Sequence, residues 1–280
     1  MKKIVSFLLI ALLALSLFAA CGSGETEEPG DEPGAELQKI VIGASPTPHA
    51  EILAVVRELL VEEGYDLVIP EFVDYVQPNL ALDSGDIDAN YFQHILYMGS
   101  FNEEHGTDLV ALAEVHYEPF AIYAGRTASL DALEDGAKIG IPNDTTNEAR
   151  ALLLLEEQGF FTLKENIGLN ATINDIVDNP RNFDVIELEA AQLARSLPDL
   201  DIAVINGNYA IDAGLKVGTD ALASEDSSSD TIQRYYTNIL AVKAGDEDRE
   251  DLKALAKALL SPEVKAYIES TYEGAVVPLF

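Results

Sequence analysis

Lys138-Ile-Gly-Ile-Pro-Asn-Asp-Thr-Thr-Asn-Glu-Ala-Arg150-Ala-Leu-Leu-Leu-Leu155 reads as a strand that turns into a helix. Lys138 to Ile141 form the strand, and Pro142, with no N–H to donate, is expected to stop its ladder. Asn143 and Asp144 are turn formers. Thr145 followed by Glu148 fits a capping box, so the helix is expected to begin there. A strand running into a helix N-terminus is a ready anion site, because free backbone N–H groups point outward. Arg150, early in that helix, opposes the helix dipole at a cost of roughly 0.5 kcal/mol. Something else must favour it. One candidate is a ligand carboxylate gripped in a bidentate fork. The other is a nearby acid of the chain itself.

The same alternation extends in both directions. Downstream, Asn182 to Ile186 reads as a strand and Glu187 to Leu197 as a helix. Ile202-Ala-Val-Ile-Asn-Gly-Asn-Tyr-Ala is a strand feeding a short helix that ends near Gly214. Ala223 to Gln233 is a polar, acidic loop, and Tyr236 to Ala244 is an apolar strand. Helices over about 248–260 and 262–270 close the chain. Upstream, Lys39-Ile-Val-Ile-Gly43 is a buried-strand pattern. Thr47 is expected to cap a helix with Pro48 at its first position, running through Glu51 to Leu60 and stopping at Gly64. Asp66 to Ile69 is the second strand, and the strand–helix–strand unit implies parallel pairing. Asp74 to Gly85 is a turn and short helix, Asp88 to His94 a short strand or loop, and Leu96 to His105 a helix. Leu109 to Tyr123 alternates over an unusual length, broken by Pro119, as a strand passing from one lobe into another would. The fold class is therefore α/β.

Composition narrows the function classes. The 280 residues are 48% hydrophobic, enough for one large or two ordinary domains. Acids outnumber bases 49 to 17, for a net charge of −32. Nucleic acid is thereby disfavoured as a partner, since it requires a basic face. The single cysteine, Cys21, excludes an intrachain disulfide and the cysteine-based structural zinc sites. Gly-x-Ser-x-Gly and His-Glu-x-x-His are absent, and paired acids are too abundant to single out a catalytic pair, so an enzyme is not expected. No cofactor or metal is expected either.

Residues 1–20 read as a targeting segment: Lys2 and Lys3, then an uncharged apolar run to Ala20. Leu-Phe-Ala-Ala-Cys21 resembles a bacterial lipobox, in which the cysteine is acylated and becomes the mature N-terminus. Phe18 stands where Leu is usual. Residues 21–36, rich in Gly, Pro and acids, are expected to be a disordered tether. Together these lead to the expectation of a protein held by lipid at the extracytoplasmic face of the cell membrane.

Five segments resemble, in order, those of the NlpA/MetQ family, the methionine-binding lipoproteins of ABC importers. They are Gly43-Ala-Ser-Pro-Thr-Pro-His-Ala-Glu-Ile-Leu53, Asp88-Ala-Asn-Tyr-Phe-Gln-His94, Ile141-Pro-Asn-Asp-Thr-Thr-Asn-Glu-Ala-Arg-Ala151, Ile205-Asn-Gly-Asn-Tyr-Ala210 and Gly274-Ala-Val-Val-Pro278. The resemblance covers roughly residues 37–280. It implies a two-lobed periplasmic-binding-protein fold, type 2-like, with the ligand cleft between lobes. One lobe would be 37–121 with 242–280 and the other 122–241. It also implies a monomer that captures methionine and delivers it to a permease with two membrane and two ATPase subunits.

Carried over by position, the ligand residues would be Tyr75, Phe92, His94, Tyr97 and His116, with Arg150, Asn208 and Asn238. Arg150 would take the α-carboxylate. Asn208 and Asn238 would hydrogen-bond the head group, and the three aromatic residues would wall a slot for a thioether. Each has a plain alternative: core packing for Phe92 and Tyr97, hydrogen-bonded structural roles for the histidines, and a helix cap for Asn208. The chain departs from the family at Leu96 and Tyr235, where proline is common, and in a longer acidic loop over Ser224–Asp230. Another amino acid, or a short peptide such as a methionine-containing dipeptide, is the alternative ligand.

Overall fold

The computed structural model describes residues 37–280; the leader, Cys21 and the tether lie outside the described residues. The first part of the chain forms β1 (Gln38–Ala44), α1 (Glu51–Glu62), β2 (Tyr65–Val68), α2 (Gln77–Ser84), β3 (Ala89–His94), α3 (Ile95–His105) and β4 (Leu109–Tyr117). The middle forms β5 (Ala121–Ala124), β6 (Lys138–Pro142), α4 (Thr145–Glu157), β7 (Thr162–Leu163), β8 (Ile176–Asp178), β9 (Asp184–Leu188) and α5 (Ala190–Ser196). It continues through β10 (Ile202–Ile205), α6 (Gly207–Asp212), α7 (Val217–Asp220), β11 (Ala221–Ser224) and α8 (Asp230–Tyr235). The last part adds β12 (Thr237–Lys243), α9 (Glu250–Leu259), α10 (Pro262–Tyr272) and β13 (Val277–Pro278).

The fold is α/β with two lobes, each built on one sheet. The first sheet runs β13-β4-β12-β3-β1-β2, and the second β11-β5-β10-β6-β9. In the first, β1 pairs in parallel with both β2 and β3. The crossover helix α1 buries Ile52, Leu53, Val56 and Leu60, one face at helical spacing, against the core of that sheet. Each such side chain contributes roughly 1.5–3 kcal/mol when taken out of water. Gly64 ends the unit at φ +90°, a conformation that disfavours any residue with a Cβ. The second sheet pairs β6 in parallel with β9 and β10, and α4 buries Leu152, Leu154 and Leu155 in its core.

The long segment after Leu109 divides as its Pro119 suggests. β4 ends at Tyr117 in the first sheet, and β5 begins at Ala121 in the second. The chain returns between β11 and β12, so Glu118–Phe120 and residues 225–236 are the two passages between sheets. Both border the site described below.

Several local expectations are corrected. The ladder stops at Pro142 as expected, but the strand includes it: Pro142 is the last residue of β6 and faces Leu188, its missing N–H costing nothing at a strand end. Asp144, not Thr145, caps α4: its carboxylate accepts from the Asn147 backbone N–H at 3.1 Å and from the Asn147 amide at 2.9 Å. A carboxylate is a stronger acceptor than a hydroxyl. Glu148 turns away to accept from the Ile173 N–H at 2.9 Å, so there is no capping box here. Thr47 caps nothing; it is extended (φ −135°, ψ 143°), as residues before proline prefer, and the regular helix starts only at Glu51. The acidic segment is not all loop, since it contains the end of β11 and the short helix α8.

Candidate functional site

A small cavity lies between the two sheets. The first sheet and its loops contribute Tyr75, Phe92, Gln93, His94, Tyr97 and Asn238. The second contributes Asn147, Arg150, Asn206, Gly207 and Asn208, and the passage between sheets contributes Glu118. Seven of the eight residues carried over from the family therefore meet at one place. His116 does not line the cavity; it is fully buried behind Glu118.

The aromatic wall is mutually packed. The ring centroid of Tyr75 lies 5.9 Å from that of Phe92 and 5.6 Å from that of Tyr97. These are ordinary aromatic-pair distances. The Tyr97 hydroxyl donates to the Tyr75 carbonyl at 3.0 Å, which fixes the slot's width. Phe92 and Tyr97 also belong to a small apolar cluster with Phe101, so packing and cavity-lining are combined in the same side chains.

His94 caps α3, its Nδ1 accepting from the Tyr97 N–H at 3.1 Å. Its proton is therefore on Nε2, 3.2 Å from Asn147 Oδ1. Asn206 donates to the same oxygen at 3.0 Å. Burial first, and then the charge of Arg150, push the His94 pKa down to about 3, so the ring is neutral at physiological pH.

Arg150 is 5% exposed and held on three sides. Its Nε donates to Glu225 Oε1 at 2.8 Å and its Nη2 to Glu225 Oε2 at 2.7 Å. Nη2 also donates to the Glu118 carbonyl at 3.0 Å. The guanidinium also lies over the rings of Tyr236, 3.9 Å to the centroid, and Phe120, 4.7 Å. The two-pronged face of Arg150 is thus engaged by an acid of the chain, and among the described residues Nη1 has no hydrogen-bond partner. The expectation that a ligand takes the fork is corrected accordingly.

Asn208 and Asn238 show the same division of labour. Asn208 Oδ1 accepts from the Tyr75 hydroxyl at 2.6 Å, and Asn238 Oδ1 lies 3.0 Å from His49 Nε2. Both amide nitrogens are without partners among the described residues, and both side chains border the cavity. Three donors, two amides and one guanidinium edge, are therefore available from opposite sheets.

Glu118 is the acceptor that sequence reasoning missed. It is 6% exposed, with Oε1 2.8 Å from His116 Nε2 and 3.5 Å from His49 Nε2. Burial pushes its carboxyl pKa up, while His49, the Asn208 backbone N–H and Arg150 pull it down. His116 Nδ1 accepts from the Tyr91 hydroxyl at 2.5 Å, which leaves its Nε2 proton for Glu118. Burial lowers His116 to about 3 and His49 to about 4, so both act as neutral donors. Gly207 is required beside this group: a Cβ there would stand 2.7 Å from the Glu118 Cβ. His49, His116 and Glu118 bring three possible metal-ligand atoms within 4.8 Å of one another, but both Nε2 atoms are already committed to hydrogen bonds. The Asn206 Oδ1, also at the cavity, is buried without a partner among the described residues.

The arrangement separates charge: a shared cation and two amide donors, a buried carboxylate, and an aromatic slot. It suits a small zwitterion with an apolar side chain. A profile of the NlpA lipoprotein family matches residues 40–280. Methionine-binding lipoprotein MetQ of Bacillus subtilis is 39% identical over 284 residues, covering 100% of this chain and 99% of its own. A lipoprotein from Ruminococcus gnavus has the same fold with a TM-score of 0.85 at 55% identity, covering 87% of this chain and 100% of that one. A nutrient-binding protein from Burkholderia cenocepacia, solved bound to methionine, gives a TM-score of 0.82 at 44% identity, covering 86% of this chain and 100% of that one. With a profile match from Ile40 to the last residue and full-length relatives well above 30% identity, the chain belongs to the NlpA lipoprotein family.

Proposed function

We propose that this protein captures methionine outside the membrane and hands it to an ABC importer, acting by binding and not by catalysis. The observation that carries this is the pairing of donors and acceptor across one cavity: Arg150 Nη1 with the Asn208 and Asn238 amides at one place, Glu118 at another. The α-carboxylate meets the three donors, and the ammonium meets Glu118. The thioether enters the slot of Tyr75, Phe92 and Tyr97, where aromatic rings accept sulfur well. His94 lines the site as a neutral donor to Asn147, and His116 supports Glu118 from behind.

The lobes are residues 37–121 with 242–280 and residues 122–241. The division of strands between two sheets supports this, although β12 joins the first sheet from Thr237 onward. Anchoring by acylated Cys21 at the extracytoplasmic face, action as a monomer, and docking on paired permease and ATPase subunits complete the reading. Relatives that carry methionine-binding names support the ligand assignment.

One observation favours a second reading, a methionine-containing dipeptide: two N–H groups of Arg150, its bidentate fork, are already engaged by Glu225. Native mass spectrometry of the purified full chain separates the two. A retained mass equal to methionine supports the first reading, a dipeptide mass the second. A chain that neither retains nor takes up either compound overturns both.

A further inference from the structure

Among the described residues that line the cavity, Arg150 is the only lysine or arginine. Its counter-ion is Glu225, not a solvent-exposed acid of convenience. Glu225 is 8% exposed, its backbone N–H donates to the Phe120 carbonyl at 3.0 Å, and its Oε2 accepts from the Tyr117 hydroxyl at 2.8 Å and from the Phe120 N–H at 3.3 Å. With the two bonds from Arg150, this carboxylate accepts four hydrogen bonds, from α4, from the end of β4 and from the passage that follows it. A buried guanidinium without an anion is strongly unfavourable, and here the anion is built in. A ligand carboxylate arriving at Nη1 therefore meets a cation whose charge is already balanced.

We infer that Glu225 is a specificity-determining residue: it neutralises Arg150 in advance, so that the site rewards a free α-carboxylate only weakly and admits methionine derivatives whose carboxyl group is uncharged. This rests on the amino-acid reading above. Glu225 touches no ligand; it acts by setting how much of the Arg150 charge a ligand experiences. Removing its charge while keeping its shape should leave Arg150 in place and uncompensated, and a ligand carboxylate would then take over as counter-ion.

The test compares L-methionine with L-methioninamide, which keeps the ammonium and side chain but lacks the charged carboxylate. Calorimetry is run at pH 6, below the usual range for an α-amino group, on the full chain and on Glu225→Gln. The wild type is expected to prefer methionine by a modest factor. In Glu225→Gln that preference rises by about tenfold or more, because methionine tightens while methioninamide changes little, a tenfold step being 1.4 kcal/mol. A preference that stays within about threefold of wild type, or two ligands that weaken together, overturns the inference and assigns Glu225 a purely structural role. Glu225→Asp, which keeps the charge, should leave the preference near the wild-type value. If Glu225→Gln does not fold alone, refolding from urea reads the same asymmetry: methionine restores the folded yield and methioninamide does not. Rescue by neither, or by both equally, is the contrary result. Wild-type protein that binds neither compound overturns the amino-acid reading itself, and the inference with it.

Discussion

The Tyr75 hydroxyl donates to Asn208 Oδ1 at 2.6 Å, joining the loop before α2 of the first lobe to the start of α6 in the second. It is one of several bonds across the cleft. The Tyr209 hydroxyl donates to the Val73 carbonyl at 3.1 Å, the Thr145 hydroxyl to Glu104 at 2.8 Å, and His94 Nε2 to Asn147 at 3.2 Å. The arrangement is that of a closed cleft, and these contacts exist only when the lobes meet. A ligand held by groups of both lobes favours that state through its differential contacts. Small-angle scattering should accordingly give a smaller radius of gyration with methionine than without; identical profiles for verified ligand-free and saturated samples contradict this.

Tyr75→Phe removes the cross-cleft bond and keeps the aromatic wall. A net hydrogen bond of about 1 kcal/mol corresponds to a roughly fivefold weaker affinity. The loss should appear in the release rate, measured by stopped-flow, with association nearly unchanged. An unchanged release rate would show that Asn208 does not need Tyr75 to be positioned.

Arg150→Ala both removes the proposed ligand contact and strands Glu225. Losing one partner of a buried pair costs about 3–5 kcal/mol of stability, so loss of binding in this variant alone is ambiguous. Arg150→Ala combined with Glu225→Gln should recover much of the stability in urea melts while methionine binding stays lost. Recovery of binding in the double variant would remove Arg150 from the site.

Stability should fall as the pH is lowered from 7 to 5. His49, His94 and His116 have folded-state pKa values lowered to about 4, 3 and 3. Each folded pKa lies below the unfolded one, so each contribution is complete above about pH 6.5 and is lost as the pH drops toward the folded value. The loss between pH 7 and pH 5 is on the order of 2 kcal/mol per histidine. Glu118 and Asp144, raised by burial, act with the opposite sign, over the window from their raised folded-state values down to the ordinary carboxylate range, and two such groups offset the three histidines only in part. Thermal melts across this window should show a steady decline, and a flat profile down to pH 5 contradicts the buried neutral histidines.

Cys21→Ser should abolish incorporation of labelled fatty acid and release the protein from membranes. Labelling that persists in the variant would sink the lipobox reading.

Much of the fold was legible because apolar runs and their breakers are local signals. Ile40 and Ile42 on β1, the apolar face of α1, Gly64, and Pro119 between β4 and β5 all act on their own neighbours in sequence. The acids of the site were not legible. Glu118 and Glu225 are two among 49 acids, and nothing in their flanking residues marks them as buried. Glu225 even lies in an acidic run that reads as a solvated loop; only its distant partners Arg150, Tyr117 and Phe120 distinguish it. The cap of α4 was misplaced by one residue for a related reason. Asp144 and Thr145 are both good caps locally, and the choice is made by the Asn147 amide, which also serves His94 and Asn206.

The most direct measurement is calorimetric titration of L-methionine into the purified full chain after any retained ligand has been removed by unfolding and refolding. Saturable binding at one site per chain is expected, weakened about 30-fold or more by Asn208→Ala combined with Asn238→Ala, since together these remove two of the three donors proposed for the carboxylate. Absence of saturable heat with verified folded protein, or an affinity untouched by the paired substitution, would contradict a methionine site in this cleft.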